Sequence, residues 1–469
     1  MRYRLRALNV DAALRPLRFV AMVAGLIIVF GYDMGVLLLN ENYLAGFFIM
    51  NQGDLDVIMG TSALGMLLGY FLGGYLTFGS GRKICMLCGA VLGCISIVAS
   101  FFAPSFSVML CAQFVIGFSF GLYLLSAILY VSEITLPGNR GFAATLLAVG
   151  YLIGILLAVL TRGSIPATGG FLILFIVMLL NAMLLVMVIF KVPESPRYLA
   201  ISGVPDAALP VLFRLRLDMG MAARELAGIN ECCRQAARGS ELFLLNSNFR
   251  RLMWMLLCMA LLSNLCGFAI IPYSLGDLVY ASDLSMRYNY YEFTYGLIRA
   301  SVVAGLAGCV TGMVAVDRAG RRRTLLWAMG LCALALAGMV CVARLEPRNA
   351  TVLLSGFTLI YIFAEALIFP VFLTVLCAEL IPTRAREFGL TLVLIFNTVV
   401  GMGCMQLFTP MVTAFDFSGL FTFCFVSSVA LIALMYFTLP DSANASLEGI
   451  ENRLLSGRPL TELGRVSDT

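Results

Sequence analysis

Apolar and polar residues divide this chain into two long hydrophobic parts and one polar centre. Between residues 192 and 251 charged and polar residues interrupt the apolar sequence throughout, and arginines recur along the stretch. On either side the sequence consists of apolar runs of about twenty residues, long enough to cross a bilayer as helices. Two hydrophobic halves of similar length around a polar centre indicate a membrane protein built from two repeats.

The apolar runs predict twelve transmembrane helices, six before the polar centre and six after it. They lie near residues 17–40, 53–77, 83–103, 107–131, 141–162, 168–192, 252–277, 292–316, 324–344, 350–378, 387–411 and 418–439. The predicted fold is all-α, with two pseudo-symmetric six-helix bundles. The expected units are an N-terminal bundle (1–192), a cytoplasmic central loop with short helices (193–251), a C-terminal bundle (252–440) and a cytoplasmic tail (441–469).

Composition supports a lipid environment. Of the 469 residues, 61% are hydrophobic and 12% are charged, whereas soluble domains contain about 25% charged residues. The arginines are dispersed between apolar spans, so no nucleic-acid partner is expected. Most of the 14 cysteines lie inside apolar runs and there is no histidine, so we expect neither a metal site nor a cofactor.

Basic residues set the expected orientation, because they concentrate on the cytoplasmic side of membrane proteins. If both termini are cytoplasmic, the inner segments hold all 31 basic residues except Arg162, Arg287, Arg299, Arg344 and Arg348. We therefore expect a multi-pass protein with both termini cytoplasmic, monomeric and in the plasma membrane.

Three charged motifs occur twice, once in each half. Glu133 and Arg140 recur 246 positions later as Glu379 and Arg386. The other copies are Gly81-Arg82-Lys83 with Gly320-Arg321-Arg322, offset by 239, and Pro193-Glu194-Ser195 with Pro440-Asp441-Ser442, offset by 247. Three motifs in register on the predicted cytoplasmic side indicate an internal duplication.

These motifs, together with Gly31-Tyr32-Asp33 and the stretch from Pro193 to Arg197, resemble the sugar porter family of the major facilitator superfamily. The resemblance extends from the first helix to Glu448. It implies a secondary active or facilitative transporter that moves a sugar-like or other small polar solute by alternating access. Protons are a further partner if transport is coupled.

The resemblance assigns the duplicated charges to a cytoplasmic gate. Charges at helix ends pair when the inner side is closed and must separate when it opens. The alternative is that they only anchor helix ends at lipid headgroups. The predicted gate residues are Glu133, Arg140, Glu194, Arg197, Asp317, Arg318, Arg321, Arg322, Glu379 and Arg386.

The first-half copy departs from the family pattern. Its acidic residue is replaced by Phe78, and the following arginine is replaced by Gly79, whereas the second half keeps Asp317. The first-half gate is therefore expected to lack an anion. On this basis Asp317→Asn should reduce transport more than changes at Arg82.

The sugar pocket of the family is only partly retained. The paired glutamines of the seventh helix fall at Ser263 and Asn264, and an aromatic position falls at Tyr273. The tenth-helix tryptophan falls at Thr374, and the eleventh helix keeps an amide at Asn397. Each of these residues, with Gln406 as a further candidate, either contacts the solute or makes an interhelical hydrogen bond.

Asp33 is a carboxylate inside a predicted span, which is a functional-site hypothesis by default. An aspartate here resembles the proton-coupled members of the family, yet their partner arginine aligns with Gln113. Proton symport, uncoupled passage and a structural role stay open. Arg299 either pairs with Asp33 or Glu365, or extends outward.

A second hypothesis is a non-transporting membrane sensor derived from a transporter, which the depleted pocket favours and the short tail disfavours. An enzyme is not expected, because the sequence contains neither a nucleophile–base set nor a phosphate-binding loop.

Overall fold

The computed structural model describes residues 2–39, 54–162, 183–188, 190–233, 239–272, 290–345, 349–442 and 445–463. All regular structure within these ranges is helical. The first half contains α1 Arg2–Leu39, α2 Asp54–Ser80, α3 Arg82–Phe101, α4 Phe106–Ile134 and α5 Arg140–Arg162. Between the halves lie α6 Pro196–Ile201, α7 Pro205–Arg216, α8 Met219–Cys233 and α9 Ser240–Leu245.

The second half follows the same plan. It contains α10 Ser247–Ser263, α11 Tyr290–Arg318, α12 Arg321–Leu345, α13 Ala350–Pro370, α14 Cys377–Leu380 and α15 Arg386–Thr438. The tail forms α16 Leu447–Leu455. Wide π-helical turns, Asn264–Phe268 and Val371–Leu376, continue α10 and α13. Short 3-10 turns lie at Pro137–Asn139, Thr383–Ala385 and Leu460–Glu462.

Ten helices of the described ranges are long and apolar enough to cross a membrane. One of them, α15, covers two predicted spans, and Asp416 with a φ of 58° marks the break between them. The sixth predicted span, 168–192, lies mostly outside the described residues. Every other predicted span is helical over its described part, except at the carboxyl ends of three of them (102–103, 269–272 and 439). This confirms the all-α membrane fold.

Local sequence fixes where several helices begin. Ser105 precedes α4, and its hydroxyl accepts a hydrogen bond from the Val108 amide. Asn246 does the same for α10, accepting from the amides of Asn248 and Phe249 at 2.9 and 3.1 Å. Side-chain caps of this kind satisfy amides that have no partner inside the helix.

The helix packing repeats between the halves. In the first half α4 packs against α2 and α3, and in the second half α13 packs against α11 and α12. The α1–α5 contact has its counterpart in α10–α15. The halves meet where α5 packs against α11 and where α2 packs against α15. In the internal repeat α5 corresponds to the first part of α15, and α11 corresponds to α2. The two interfaces are therefore equivalent, and the molecule consists of two pseudo-symmetric bundles.

Glycines allow α1 and α5 to approach closely. A Cβ atom on Gly31 would lie 1.9 Å from the carbonyl oxygen of Tyr151, and one on Gly154 would lie 2.1 Å from that of Ile28. Because these neighbours are backbone atoms, a larger residue must push the helices apart. Small residues at such contacts are a general feature of membrane helix packing.

Gly31→Ala should therefore destabilise the N-terminal bundle. Overpacking typically costs about 1–3 kcal/mol, and we expect a lower melting temperature in detergent. Gly356→Ala is the control, because Gly356 lies in α13 with no atom within 4 Å of an added Cβ. Equal melting temperatures for the two variants would contradict this packing.

Candidate functional site

The first cluster of buried charges surrounds Glu133 at the end of α4. Arg82, the first residue of α3, donates to both carboxylate oxygens from Nε and Nη2 at 3.1 and 3.0 Å. The Ser195 hydroxyl donates to the same carboxylate. Glu194 accepts from the Lys83 backbone amide at 3.2 Å. Residues of all three duplicated motifs of the first half thus meet around Glu133.

The second cluster repeats this arrangement around Glu379. Arg321 donates to both carboxylate oxygens at 3.2 and 3.0 Å, and the Ser442 hydroxyl donates at 2.6 Å. Asp441 accepts from the Arg321 amide at 3.1 Å. The sequence repeats are therefore repeats of one hydrogen-bonded structure.

Glycine is required before each arginine. Gly81 and Gly320 adopt φ values of 97° and 91°, which an L-residue with a side chain rarely adopts. A Cβ on Gly320 would also lie 2.4 Å from an oxygen of Asp441. The turn at each glycine lets the following arginine reach the carboxylate of its cluster.

The second cluster also joins the two bundles. Arg140 of α5 lies 3.6 Å from a Glu379 oxygen. Asp317 of α11 forms an ion pair with Arg321 at 3.1 Å, and accepts the backbone amides of Gly141 and Phe142 at 3.2 and 2.7 Å. Arg140 of the first repeat thus pairs with the carboxylate of the second repeat rather than with Glu133 of its own motif.

The first cluster is joined to the other bundle as well. Arg82 forms an ion pair with Glu387 of α15, and Arg386 lies within electrostatic range of Glu133. The expectation that the first-half gate lacks an anion is therefore wrong, because Glu387 supplies one. The prediction that Asp317→Asn reduces transport more than changes at Arg82 loses its basis with it. In the sequence Glu387 stands 246 positions after Gly141, next to a motif arginine, but only the structure shows that it pairs with Arg82.

The central loop and the tail are tied together beside the clusters. Arg197 of α6 forms an ion pair with Glu448 of α16 at 2.6 Å, and the Thr383 amide donates to Glu451 at 2.9 Å. Burial alone would raise the pKa of the Glu448 carboxyl, but the Arg197 guanidinium holds that pKa below its usual value. The sequence reasoning did not identify Glu448 or Glu451 as site residues.

Two predicted gate arginines lie outside the clusters. Arg318 is exposed at the end of α11. Arg322 donates to the Tyr436 carbonyl oxygen at 2.6 Å, and its guanidinium carbon lies 5.7 Å from the centre of the Tyr436 ring. The exposure of Arg318 and the contacts of Arg322 with Tyr436 fit helix-end anchoring rather than the paired clusters.

A pair of amides links α10 and α15 within the membrane region. The Asn264 amide nitrogen donates to the Ala260 carbonyl and to the Asn397 side-chain oxygen, at 2.8 and 2.9 Å. Asn264 begins the π-helical turn in which Gly267 has a φ of 98°. The amide pair therefore lies at a break in α10.

In the described residues no hydrogen bond joins the other candidate pocket residues to the Asn264–Asn397 pair. The Ser263 and Thr374 hydroxyls donate to carbonyls of their own helices, Ala260 at 3.0 Å and Pro370 at 2.7 Å. Gln406 is exposed. Tyr273 lies outside the described residues.

Asp33 and Gln113 are neighbours, as the sequence comparison predicts. The Gln113 side chain is the hydrogen-bonding partner of the Asp33 carboxyl, and Gln113 is fully buried in α4. Arg299 is exposed on α11, consistent with the outward-extending alternative. Glu365 on α13 has one buried oxygen without a hydrogen-bond partner among the described residues.

Sequence comparisons cover nearly the whole chain. The family described as "Sugar (and other) transporter" matches residues 17–454. The chain is 28% identical over 454 residues to the arabinose-proton symporter of Escherichia coli (strain K12), covering 95% of this chain and 94% of that protein. It is 29% identical over 453 residues to the galactose-proton symporter of the same organism, covering 95% of each. The major myo-inositol transporter IolT of Bacillus subtilis (strain 168) is 28% identical over 457 residues, covering 94% of each.

Solved structures share the fold. The proton:xylose symporter XylE bound to 6-bromo-6-deoxy-D-glucose aligns with a TM-score of 0.77 at 20% identity, over 94% of this chain and 98% of that one. A partially occluded inward-open form of XylE from E. coli aligns with a TM-score of 0.70 at 17% identity, over 91% and 98% of the two chains. The family match over almost its entire length shows that the chain belongs to the sugar (and other) transporter family, and the solved structures show that it has a major facilitator fold.

Proposed function

We propose that this protein carries a monosaccharide or a related polyol across a membrane by alternating access, together with a proton. The observation that carries the proposal is the pair of buried ionic clusters, which join two repeated bundles on one side. The names of the relatives (arabinose-proton symporter, galactose-proton symporter and myo-inositol transporter) support this solute class. Each of these relatives is named as a symporter or a transporter, and this outweighs the depleted pocket, which alone favours the sensor hypothesis.

The clusters would act as a reversible gate. In the closed arrangement Arg140 and Glu387 each reach a charged partner on the opposite bundle. Opening this side must break both contacts and hydrate the separated charges. Because buried ions are costly when unpaired and inexpensive when hydrated, the two arrangements differ little in free energy. That balance suits a protein that alternates between two states.

The gate would face the cytoplasm. The central loop and the tail lie on the cluster side, since Arg197 and Glu448 join them there, and both carry many of the basic residues. The positive-inside rule then places both termini in the cytoplasm. A monomer in the plasma membrane is the assembly and location that we propose.

Asp33 would carry the coupled proton. A carboxyl group within a membrane helix can bind and release a proton as its access to water alternates between the two sides. Its neighbour Gln113 is neutral, so the amide orients the carboxyl group without fixing its charge. The proton then enters with the solute and leaves when the inner side opens.

Asn264 and Asn397 would hold solute hydroxyls at the break in α10, with Ser263, Tyr273, Thr374 and Gln406 as further candidates. Asn397→Ala should raise KM about tenfold, because an unpaired polar group in a dry site costs about 1–3 kcal/mol. Thr398→Ala is the control, since that hydroxyl is bonded to the Leu394 carbonyl at 3.0 Å. A lower melting temperature with unchanged KM would show instead that the amide pair only ties two helices.

Uptake into proteoliposomes tests the proposed function. Radiolabelled arabinose, galactose, xylose, glucose and myo-inositol are offered with and without an inward proton gradient. We expect saturable uptake of at least one solute, raised by the gradient and reduced by a protonophore. Uptake of none by the folded protein would contradict sugar transport. Uptake at the same rate with and without the gradient would contradict proton coupling but would still support sugar transport.

A further inference from the structure

We propose that Glu387 is a gate residue that replaces, from the opposite bundle, the acid missing at Phe78. The inference rests on the proposed transport function and goes beyond it by assigning a residue outside the duplicated motifs. It concerns the two interfaces between the bundles, α5 with α11 and α2 with α15.

The internal repeat identifies equivalent positions at these interfaces. Asp317 stands four residues before Arg321, and Phe78 stands four residues before Arg82. Gly141 follows Arg140, and Glu387 follows Arg386. The α5–α11 interface therefore has Asp317 and Gly141 where the α2–α15 interface has Phe78 and Glu387.

The contacts show that the anion has changed sides. In the second cluster Asp317 lies on the same bundle as Arg321, and it reaches the other bundle through the backbone amides of Gly141 and Phe142. In the first cluster Glu387 lies on the bundle opposite Arg82 and pairs with it directly. Each arginine keeps two acids, but only the first has a carboxylate from the opposite bundle as its second acid.

Burial makes this contact consequential. The side chains of Arg82 and Glu387 are 2% and 10% exposed, so water screens their attraction weakly. Glu387 also lies in the first turn of α15, where the helix dipole favours a negative charge. Phe78 is 54% exposed and takes no part. At the α2–α15 interface the bundles are therefore joined by an ion pair between Glu387 and Arg82, whereas at the α5–α11 interface the Asp317 carboxylate bonds to backbone amides of the opposite bundle.

The test compares Glu387→Gly with the double variant Phe78→Asp/Glu387→Gly. The double variant gives the α2–α15 interface the acid and the glycine that the α5–α11 interface has at Asp317 and Gly141. Spin labels are attached through p-acetylphenylalanine at Lys191 and Ala319, so that the 14 native cysteines remain. Both positions are exposed near the clusters, one on each bundle. Glu231→Gln, an exposed acid of α8, is the control.

We expect Glu387→Gly to lower the ratio of closed to open molecules at least tenfold and to reduce uptake, and Phe78→Asp to restore both to within about threefold of wild type. The control should change neither. A closed population unaffected by Glu387→Gly would overturn the proposal. The proposal would also be overturned if both variants lost the closed population while their melting temperatures stayed unchanged. The distance measurement needs no solute, so its outcome is independent of whether the proposed substrates are correct.

Discussion

Glu379→Gln should reduce transport by at least tenfold and shift the protein towards the state open on the central-loop side. The substitution keeps the size of the side chain and its bond to Ser442, but removes the anion that Arg321 and Arg140 share. Leaving a buried charge without its partner costs about 3–5 kcal/mol. A difference of about 1.4 kcal/mol already changes an equilibrium tenfold, so the closed state becomes minor.

The repeat makes Glu133→Gln the matched comparison. Glu133 occupies the same position among Arg82, Ser195 and the opposite arginine Arg386, so its loss should have an effect of similar size. Glu241→Gln, in the exposed helix α9, should leave uptake unchanged. If Glu379→Gln transported as well as wild type, the clusters would be anchors rather than a gate.

Asp33→Asn should abolish accumulation against a gradient while leaving solute exchange. Asparagine keeps the shape and the hydrogen bond to Gln113 but cannot carry a proton. We expect gradient-driven uptake to fall at least tenfold, and exchange of labelled for unlabelled solute across the membrane to stay within about threefold of wild type. Gradient-driven uptake and exchange are measured in the same proteoliposomes. The exchange assay uses equal solute concentrations inside and outside.

A different outcome would assign Asp33 another role. Gradient-driven uptake that survives Asp33→Asn would place the coupling elsewhere in the chain. Loss of exchange together with a lower melting temperature would assign Asp33 to the structure of the α1–α4 contact.

The fold could be predicted from the sequence because its signals are long and repeated. Apolar runs of about twenty residues define spans without regard to tertiary contacts. The copies around Glu133 and Glu379 gave the pseudo-symmetry in advance. One difference lies in α15. The sequence predicts a short loop at 412–417, whereas in the structure the helix continues through these residues, and the backbone of Asp416 alone departs from helical dihedral angles.

The partners within the clusters could not be predicted in the same way. Sequence spacing places Glu133 and Arg140 together, but the bundles exchange partners, and Arg140 meets Glu379 instead. Glu387 belongs to no recognised motif, so its pairing with Arg82 required the arrangement of α2 against α15. Arg318 and Arg322 had the right residue type and side of the membrane, but their helix faces direct them away from the carboxylates.

The distance between spin labels at Lys191 and Ala319 measures the gate itself, because it reports the opening between the bundles beside both clusters. We expect Glu133→Gln and Glu379→Gln each to shift the distribution towards longer distances by similar amounts, and the double variant to shift it further. A distribution that stays at the wild-type distance in the double variant would contradict a gate made of two equivalent ionic clusters.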